Sequence, residues 1–567
     1  MGGKFGVFQR ARLSVAAALA VSWSSAAFAQ QAAGPAQVDP RLKPTQAPPS
    51  IGAPIHVPVP SPPPAAPAEE AVRFTLSSVD FQGGTVLPQD SLKALAKPYI
   101  GKPVGLAEVN ELAARVTASY RAAGYILTRA VVPPQRFSDG RLTLRIVEGY
   151  IDQVRIQGDA GGAKRLLEAY GRRIQAARPL TRTVLERELL LASDITGLGV
   201  RSVLTPSASA VGAADLTLVV TPKKVDASVG IDDRGSRYLG PTQLMAGVFV
   251  NDAFGTGGRL GLNGVVTPGD SPPNLAYGAI SYDQPLGANG LRLFATVSDT
   301  ITHPGQELTS LDTLGRAFNA ELTLSYPIIR SRDLNLMVSG GLAYRNVYSS
   351  NSASSPLFDD HVRSANVGLY VNALDPVGGY STLTLNLVQG LDILGATQLS
   401  SPNKSRAGAS GEYTRLDFEV THLQPIYGPF ALQFGASGQT SFGESLLASE
   451  QYALGGYAYD RAFDPAEATG DAGLAGRVEA QWNAARRLAF LSRLQPYAFY
   501  EGGQIWQMQA VAGSPAQETL VSTGVGARFT LLDRLSADIE WAAPLGPDLR
   551  FTDSRHGRVF FSLTATF

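Results

Sequence analysis

The second half of the chain alternates between apolar and polar residues over many consecutive segments. Between Phe318 and Tyr326, for example, apolar residues occupy the even positions and polar residues the odd ones. The C-terminal segment repeats this pattern, with Val559, Phe561, Leu563, Ala565 and Phe567 alternating with Ser562, Thr564 and Thr566. A period of two predicts β-strands with one apolar and one polar face. Such strands are typical of the wall of a membrane barrel, with hydrocarbon outside and water inside.

Sixteen such segments are predicted between residues 225 and 567. They begin near residues 225, 241, 257, 275, 290, 317, 333, 361, 379, 413, 429, 472, 494, 518, 534 and 559. An even count suits a single-chain antiparallel barrel, and fourteen or eighteen strands remain open alternatives. A large soluble β-sandwich is disfavoured, because it would not need so many consecutive amphipathic strands. The predicted fold class is therefore a transmembrane antiparallel β-barrel of about sixteen strands.

Two α+β modules are predicted ahead of the barrel, at residues 73–149 and 150–224. In the first, a strand and a short helix precede a second helix, whose apolar face is formed by Val109, Leu112, Ala113, Val116 and Tyr120. Strands at 125–132 and 142–146 close this module. The same order repeats in the second module, where a helix over 183–193 is predicted from a Thr183/Glu186 capping box.

The N-terminus predicts export from the cytoplasm. Lys4, Arg10 and Arg12 precede an apolar run, and Ala27-Phe28-Ala29 offers a small-residue cleavage site, so residues 1–29 are interpreted as a signal peptide. Residues 30–72 are rich in Ala, Gln and Pro, which predicts an extended linker. No later stretch approaches 18 uninterrupted apolar residues.

Composition narrows the function classes only slightly. The 567 residues include no cysteine, and 48 basic side chains balance 48 acidic ones, so no net charge points to nucleic acid. The chain carries no Gly-x-Ser-x-Gly, His-Glu-x-x-His or Walker-type motif, and its five histidines lack metal-ligand spacing. We therefore expect neither an enzyme nor a cofactor-dependent protein.

One loop stands out between the eleventh and twelfth predicted strands. It runs from Leu454 to Asp471, is punctuated by glycine, and places Arg461 among aromatic residues. Downstream, Phe499-Tyr500-Glu501-Gly502-Gly503 places Phe499 and Glu501 on one face of a strand.

This arrangement resembles the outer-membrane translocators of two-partner secretion, the haemolysin secretion/activation family, which pair periplasmic POTRA modules with a sixteen-strand barrel. In that family the sixth extracellular loop folds into the barrel with an Arg-Gly-aromatic signature, and its arginine pairs with the carboxylate of a Phe-x-Asp-x-Gly motif. Here Arg461 and Phe463 match, after Asp460, while Ala462 replaces the glycine. On the wall, Phe499 and Gly503 match, and Glu501 replaces the aspartate.

The resemblance implies a pore in the bacterial outer membrane, with its modules in the periplasm. Its partner would be an unfolded exoprotein with an N-terminal secretion domain, of the β-helical haemolysin or adhesin type. The terminal Phe567 would signal to the barrel-assembly machinery. An insertion factor for outer-membrane proteins and a passive porin remain alternatives, although insertion factors typically carry three or five POTRA modules. The N-terminal plug helix of many relatives is poorly matched, because prolines recur at 35, 40, 44, 48 and 49.

Overall fold

The computed structural model describes residues 73–137, 139–210, 212–268, 272–484, 490–509, 515–546 and 556–567. The predicted signal peptide (1–29) and linker (30–72) lie outside the described residues.

The first module packs two helices against a small sheet. Its elements are β1 (Phe74–Thr75), β2 (Ser78–Gln82), α1 (Gln89–Ala96), β3 (Pro103–Val104), α2 (Leu106–Ala122), β4 (Arg129–Val131) and β5 (Arg141–Val147). The main sheet has the order β2-β5-β4, with β2 parallel to β5. All five residues of the predicted apolar face of α2 are buried, so the helical period places this core correctly.

The strand predicted over 125–132 is shorter in the structure. Only Arg129–Val131 pairs with β5, because the chain first turns twice after α2. Gly124 adopts a positive φ of 93°, and the Tyr125 N–H donates to the Tyr120 carbonyl. The Tyr125 N–H is therefore engaged in a turn, and it is not available for the strand pairing that a strand starting at residue 125 would need.

The second module repeats this arrangement. It contains β6 (Ile151–Gln157), α3 (Lys164–Ala176), α4 (Arg182–Ser193), β7 (Leu198–Pro206) and β8 (Ala214–Pro222), with the sheet order β6-β8-β7. The predicted cap of α4 is wrong by two residues. Thr181, not Thr183, is the N-cap, and its hydroxyl accepts a hydrogen bond from the Val184 N–H. Among the described residues, no helix has the length and apolarity needed to cross a membrane.

The rest of the chain closes into an antiparallel barrel of sixteen strands, which confirms the predicted fold class. The strands are β9 (Val225–Asp232), β10 (Gln243–Asn251), β11 (Arg259–Val266), β12 (Leu275–Pro285), β13 (Arg292–Thr302), β14 (Leu314–Arg330), β15 (Leu334–Asn351), β16 (Ser354–Leu374), β17 (Tyr380–Gly390), β18 (Thr414–Tyr427), β19 (Phe430–Thr440), β22 (Ala472–Trp482), β23 (Leu491–Trp506), β24 (Gln517–Leu531), β25 (Leu535–Pro544) and β26 (Arg558–Thr566). Two further short strands, β20 (Tyr452–Leu454) and β21 (Ala468–Gly470), are not part of the barrel wall and pair with each other as a hairpin.

The largest difference from the predicted strand starts is at β16, which begins at Ser354 rather than near 361. The early part of β16 extends the hairpin with β15, pairing Ser349 with Phe358 and Asn351 with Ser354. This stretch is rich in Ser and Asn, so its composition does not predict a strand. It is a strand because its backbone pairs with β15.

Alternation places apolar side chains on the outer surface of the barrel. Leu322 and Leu324 on β14 are exposed, whereas Ser325 beside them is buried. On β26, Phe561 and Leu563 are exposed and Phe560 is buried. An apolar outer face is what a lipid environment requires.

The second module is docked against the barrel end that carries the turns β10–β11, β12–β13 and β14–β15, here called the near end. Arg330 makes two hydrogen bonds to the Asp194 carboxylate, at 2.8 and 2.7 Å. Arg292 donates to the Asp194 carbonyl at 2.8 Å, and the Gly162 N–H donates to Asp252 at 2.7 Å. These contacts fix the second module under the strands β10 to β15.

The barrel closes where β26 meets β9, through five residue pairs from Ser562–Asp232 to Thr566–Ser228. Phe567 extends this seam, because its N–H donates to the Ala227 carbonyl at 2.9 Å while its ring remains exposed. The neighbouring pair β25–β26 has eight residue pairs, so the seam has fewer backbone pairs than its neighbour.

Candidate functional site

The loop between β19 and β22, residues 441–471, folds into the barrel and is called loop 6. Its hairpin β20–β21 carries a buried tip that contains Asp460, Arg461, Ala462 and Phe463. The tip turns sharply at Gly455, which has φ 98°, and a Cβ there would lie 2.2 Å from the Asp464 carbonyl oxygen. Only glycine fits this conformation without displacing the backbone.

Arg461 lies among three carboxylates of the barrel wall. Its Nε lies 3.1 Å from Glu501 Oε2, and its backbone N–H donates to Glu501 Oε1 at 2.5 Å. Its Nη1 lies 3.2 Å from Glu479 Oε2 and 2.9 Å from Glu540 Oε2. The guanidinium carbon also lies 3.5 Å from the ring centroid of Phe499. Arg461 thus contacts strands β22, β23 and β25 at once.

Each carboxylate around Arg461 has further partners. Arg528 on β24 makes two hydrogen bonds to Glu479, at 2.6 and 3.0 Å. The Tyr497 hydroxyl donates to Glu540 at 2.8 Å, and the Ser522 hydroxyl donates to Glu501 at 2.9 Å. A buried charge is tolerated only when it is paired and hydrogen-bonded. Arg461 and its three carboxylates are all paired, although Arg461 Nη2 has no hydrogen-bond partner among the described residues.

The remaining residues of the two predicted motifs shape the space around the ion pairs. Phe463 and Ala462 are buried in an apolar cluster that also contains Phe499. A Cβ at Gly503 would lie 2.7 Å from Leu454 of loop 6, so the glycine leaves room for the loop to approach β23. Because the backbone of Ala462 does not have a positive φ, the missing glycine of the signature does not strain the turn.

Asp460 differs from its neighbours because it is buried without a polar partner. Its φ is 60°, and neither carboxylate oxygen makes a hydrogen bond to any described residue. Asparagine and aspartate tolerate this left-handed conformation better than most residues do. The backbone conformation at this position therefore suits an aspartate, but the buried surroundings do not stabilise its negative charge.

A second set of contacts ties loop 6 to the seam. Asp464 accepts a hydrogen bond from the Arg237 N–H at 3.0 Å and one from Arg558 Nη1 at 2.6 Å. Arg237 lies in the loop after β9 and Arg558 begins β26, so one carboxylate of loop 6 bridges the two strands that close the barrel.

Sequence reasoning placed Arg461, Phe463, Phe499, Glu501 and Gly503 in one site but missed Glu479 and Glu540. The missed residues lie on the polar face of alternating segments, as in Asp538-Ile539-Glu540-Trp541. The alternation predicts that these two side chains point into the barrel, but it does not predict which loop they contact there. Among the described residues, no group of three or more potential ligands could hold a metal ion.

Two family models match the chain. The model of the ShlB-type POTRA domain matches residues 74–149. The model described as haemolysin secretion/activation protein ShlB/FhaC/HecB matches residues 212–529, more than half of the chain.

Known proteins with related sequences are transporters by name. The heme/hemopexin transporter protein HuxB of Haemophilus influenzae (strain 86-028NP) is 23% identical over 508 residues, which cover 88% of this chain and 88% of the relative. The outer membrane transporter CdiB of Escherichia coli is 25% identical over 464 residues, covering 80% of this chain and 76% of the relative.

The fold also matches a solved structure, that of CdiB from Escherichia coli. The TM-score is 0.70 at 21% identity, covering 91% of this chain and 94% of the other. The resemblance inferred from the loop motif, the modules and the strand count is therefore confirmed. The chain belongs to the haemolysin secretion/activation family, the outer-membrane transporters of two-partner secretion, with a barrel in the outer membrane and N-terminal POTRA modules that are periplasmic in the family.

Proposed function

We propose that this chain secretes one unfolded exoprotein, which binds to its periplasmic modules, passes through the barrel and folds outside the cell. The family membership and the transporter relatives support transport in general. The exoprotein class, a β-helical haemolysin or adhesin with an N-terminal secretion domain, follows from the resemblance stated above. No catalytic step is part of this proposal.

The proposal treats residues 73–149 and 150–224 as two POTRA modules ahead of a barrel over 225–567. The family model covers the first of these modules. The second has the same element order, and its sheet order β6-β8-β7 corresponds to β2-β5-β4 of the first. A repeated topology of this kind supports a duplicated module.

The observation that carries the proposal is a groove of about 490 Å³ where the two modules meet the barrel. Ile126 and Leu127 of the first module and Leu185 and Leu204 of the second line it, together with Arg332 of the near-end turn β14–β15. Further arginines border the same groove, namely Arg121, Arg129 and Arg182. Glu186 and Asp333 also line the groove, so its four arginines outnumber its carboxylates by two. An extended segment with apolar side chains and an excess of carboxylates would complement this lining, and it would lie beside the near end of the barrel.

Backbone pairing offers a second mode of binding in this groove. The strands β4 and β7 are both end strands of their sheets, and both contribute to the lining. An extended client can add to such an edge through main-chain hydrogen bonds, which tolerate varied side chains. The edge of β4 is short, and its Ala130 N–H already donates to the Thr117 hydroxyl at 2.9 Å. We therefore favour the nine-residue edge of β7.

Within this proposal, Arg461 holds loop 6 in the lumen in the resting state, together with Asp460, Ala462 and Phe463. Phe499, Glu501 and Gly503 form the wall side of the contact. Phe567 serves as the recognition signal for the barrel-assembly machinery, and the exposed apolar faces contact outer-membrane lipid.

The test is to express the chain with a large exoprotein encoded in the neighbouring reading frame and to measure the exoprotein in the medium. We expect secretion that depends on this chain and falls when Arg129, an exposed arginine that lines the groove, is replaced by Glu, which reverses its charge. Single-channel recordings with and without the exoprotein separate the porin alternative. A conductance that the exoprotein does not change, combined with no secretion, would contradict the proposal.

A further inference from the structure

We infer that Glu450 is a second anchor of loop 6, which fixes the first part of the loop to strands of the barrel wall that Arg461 does not contact and keeps the resting pore narrow. Glu450 ends a short 3-10 helix, Ala448–Glu450, ahead of the hairpin that carries Arg461. No part of the sequence motif discussed above includes it.

Glu450 is held by three side chains from outside loop 6. Arg345 Nη1 donates to its Oε1 at 2.6 Å, Arg415 Nη1 donates to its Oε2 at 3.0 Å, and the Tyr413 hydroxyl donates to its Oε2 at 2.7 Å. The side chain of Glu450 is 3% exposed. Charge-assisted hydrogen bonds of this kind are about twice as strong as neutral ones.

The backbone of the same short helix is also fixed. Arg345 donates to the Ser449 carbonyl at 3.1 Å, and Arg415 donates to the Glu450 carbonyl at 3.0 Å. Both arginines therefore contact the side chain and the main chain of loop 6, which positions the segment as well as neutralising it.

The two anchors lie on different parts of the wall. Arg345 belongs to β15 and Arg415 to β18, whereas Arg461 contacts β22, β23 and β25. In the ring, β16, β17, β18 and β19 lie between β15 and β22. Loop 6 is therefore held at two points along its length, Glu450 and Arg461, by different strands of the wall.

Holding loop 6 at two points has a mechanical consequence. When one anchor is released, loop 6 remains fixed at the other. When both are released, the loop is held in the lumen only by weaker sets of contacts, such as those of Asp464 with Arg237 and Arg558 at the seam. The two anchors thus contribute to how often the lumen opens, and they act at separate sites with no shared side chain.

The first test is single-channel recording of the purified full-length protein in planar bilayers. We expect Glu450→Gln to raise the fraction of time in a high-conductance state about tenfold, which corresponds to about 1.4 kcal/mol. The double variant Glu450→Gln with Arg461→Gln should exceed either single variant.

Glu444→Gln is the matched control. Glu444 is an exposed carboxylate of the same loop whose hydrogen bond, from the Thr414 N–H at 2.8 Å, a glutamine can still accept. A folded Glu450→Gln protein with the conductance of Glu444→Gln would overturn the inference. Folding is checked by heat-modifiable mobility in gel electrophoresis, which a change in opening alone does not alter.

If Glu450→Gln does not fold, Arg345→Lys provides the second variant. Lysine keeps the positive charge but has a single nitrogen, so it cannot donate to Glu450 and at the same time to Asn319, as Nη1 and Nε of Arg345 do. We expect a smaller rise in open time, about threefold, which corresponds to about 0.65 kcal/mol. An unchanged open time in folded Arg345→Lys would contradict the anchor.

This inference rests on the proposed secretion function only where it is interpreted as control of secretion. The recordings themselves require no exoprotein. A changed conductance in a parent chain that secretes nothing would support the anchor and refute the proposed function. An unchanged conductance in a parent chain that secretes its exoprotein would refute the anchor alone.

Discussion

Arg234 and Glu540 form a buried ion pair, with Nη1 and Oε1 2.9 Å apart, that spans the strand β26 from the inside of the barrel. Arg234 follows β9, and Glu540 lies on β25. The pair therefore connects the two strands that flank β26 and reinforces a seam with only five residue pairs.

Replacing Arg234 by Gln should destabilise the barrel by about 3 kcal/mol, the lower end of the range for breaking a buried pair, because Glu540 keeps Arg461 and Tyr497 as partners. Urea-induced unfolding in lipid bilayers measures this change. The matched control is Arg316→Gln, which breaks an exposed pair with Asp299 and should cost about 1 kcal/mol or less. Equal effects of the two substitutions would contradict a role of Arg234 in the seam.

Replacing Arg461 by Ala should reduce secretion of the exoprotein at least about tenfold, or about 1.4 kcal/mol, while the barrel still inserts. The substitution leaves Glu501 and Glu540 without one of their partners in the lumen, so loop 6 loses its position. Exoprotein in the medium and barrel in the membrane fraction are measured together. Arg461→Lys should give an intermediate result, because lysine keeps the charge and loses the fork. Normal secretion by Arg461→Ala would refute the role.

Replacing Asp460 by Asn should stabilise the resting loop by about 1 kcal/mol. The buried carboxylate has no hydrogen-bond partner among the described residues, and it lies near the like charge of Glu501. Asparagine keeps the tolerance for a positive φ and removes the charge. Thermal unfolding of the protein in detergent measures the gain. The contrasting variant Asp464→Asn should lose stability, because Asp464 pairs with Arg558.

Replacing Arg330 by Gln should loosen the second module from the barrel. The substitution removes both hydrogen bonds to Asp194, including the one at 2.7 Å. Spin-label distances between the module and the near-end turns should broaden. The barrel also loses the hydrogen bond from Arg330 to Asn335 on β15, so its own stability should fall as well. Arg172→Gln, an exposed position on α3, serves as the control and should leave the distances narrow. Unchanged distances in Arg330→Gln would show that other contacts suffice for docking.

The stability of the second module should decrease as the pH rises above the ordinary Glu pKa of about 4.3. Burial raises the pKa of Glu188 in the folded module, although Arg173 and Arg187 partly oppose this shift. The folded state therefore holds a proton that the unfolded state has released, so stability falls between about pH 4.3 and the raised pKa and then levels off. Hydrogen exchange of the α4 amides against pH measures this trend. Glu188→Gln should reduce this slope without abolishing it, because burial also raises the pKa of Glu186 on the same helix. An identical slope in the variant would contradict the assignment.

The barrel was predictable from the sequence because a β-strand exposes its two faces to different solvents. The alternation around Leu322 and Leu324 determines which side faces lipid, and nothing outside the segment is needed to recognise it. The five apolar positions of α2 were readable for the same reason. The cap of α4 and the length of β4 were not, because they depend on hydrogen bonds such as Thr181 with Val184 and Tyr125 with Tyr120.

The candidate site was predictable only in part. Arg461, Phe499 and Glu501 came from a resemblance between motifs, and the structure places Arg461 in contact with both wall residues. Glu540 and Glu450 were not found, because local periodicity shows which face of a strand a residue occupies but not which distant loop meets it. Contacts between a long loop and strands far away in the chain depend on the closed barrel as a whole.

The second module is attached on two sides. It is docked on the barrel through Asp194, and the Arg182 N–H donates to the Gly124 carbonyl of the first module at 2.8 Å, while Ile126 and Leu127 pack against its core. Both modules are therefore tied, directly or in series, to the mouth of the cylinder. On the proposed route, a polypeptide that leaves the groove enters the cylinder at once, and loop 6 is the obstacle it meets there.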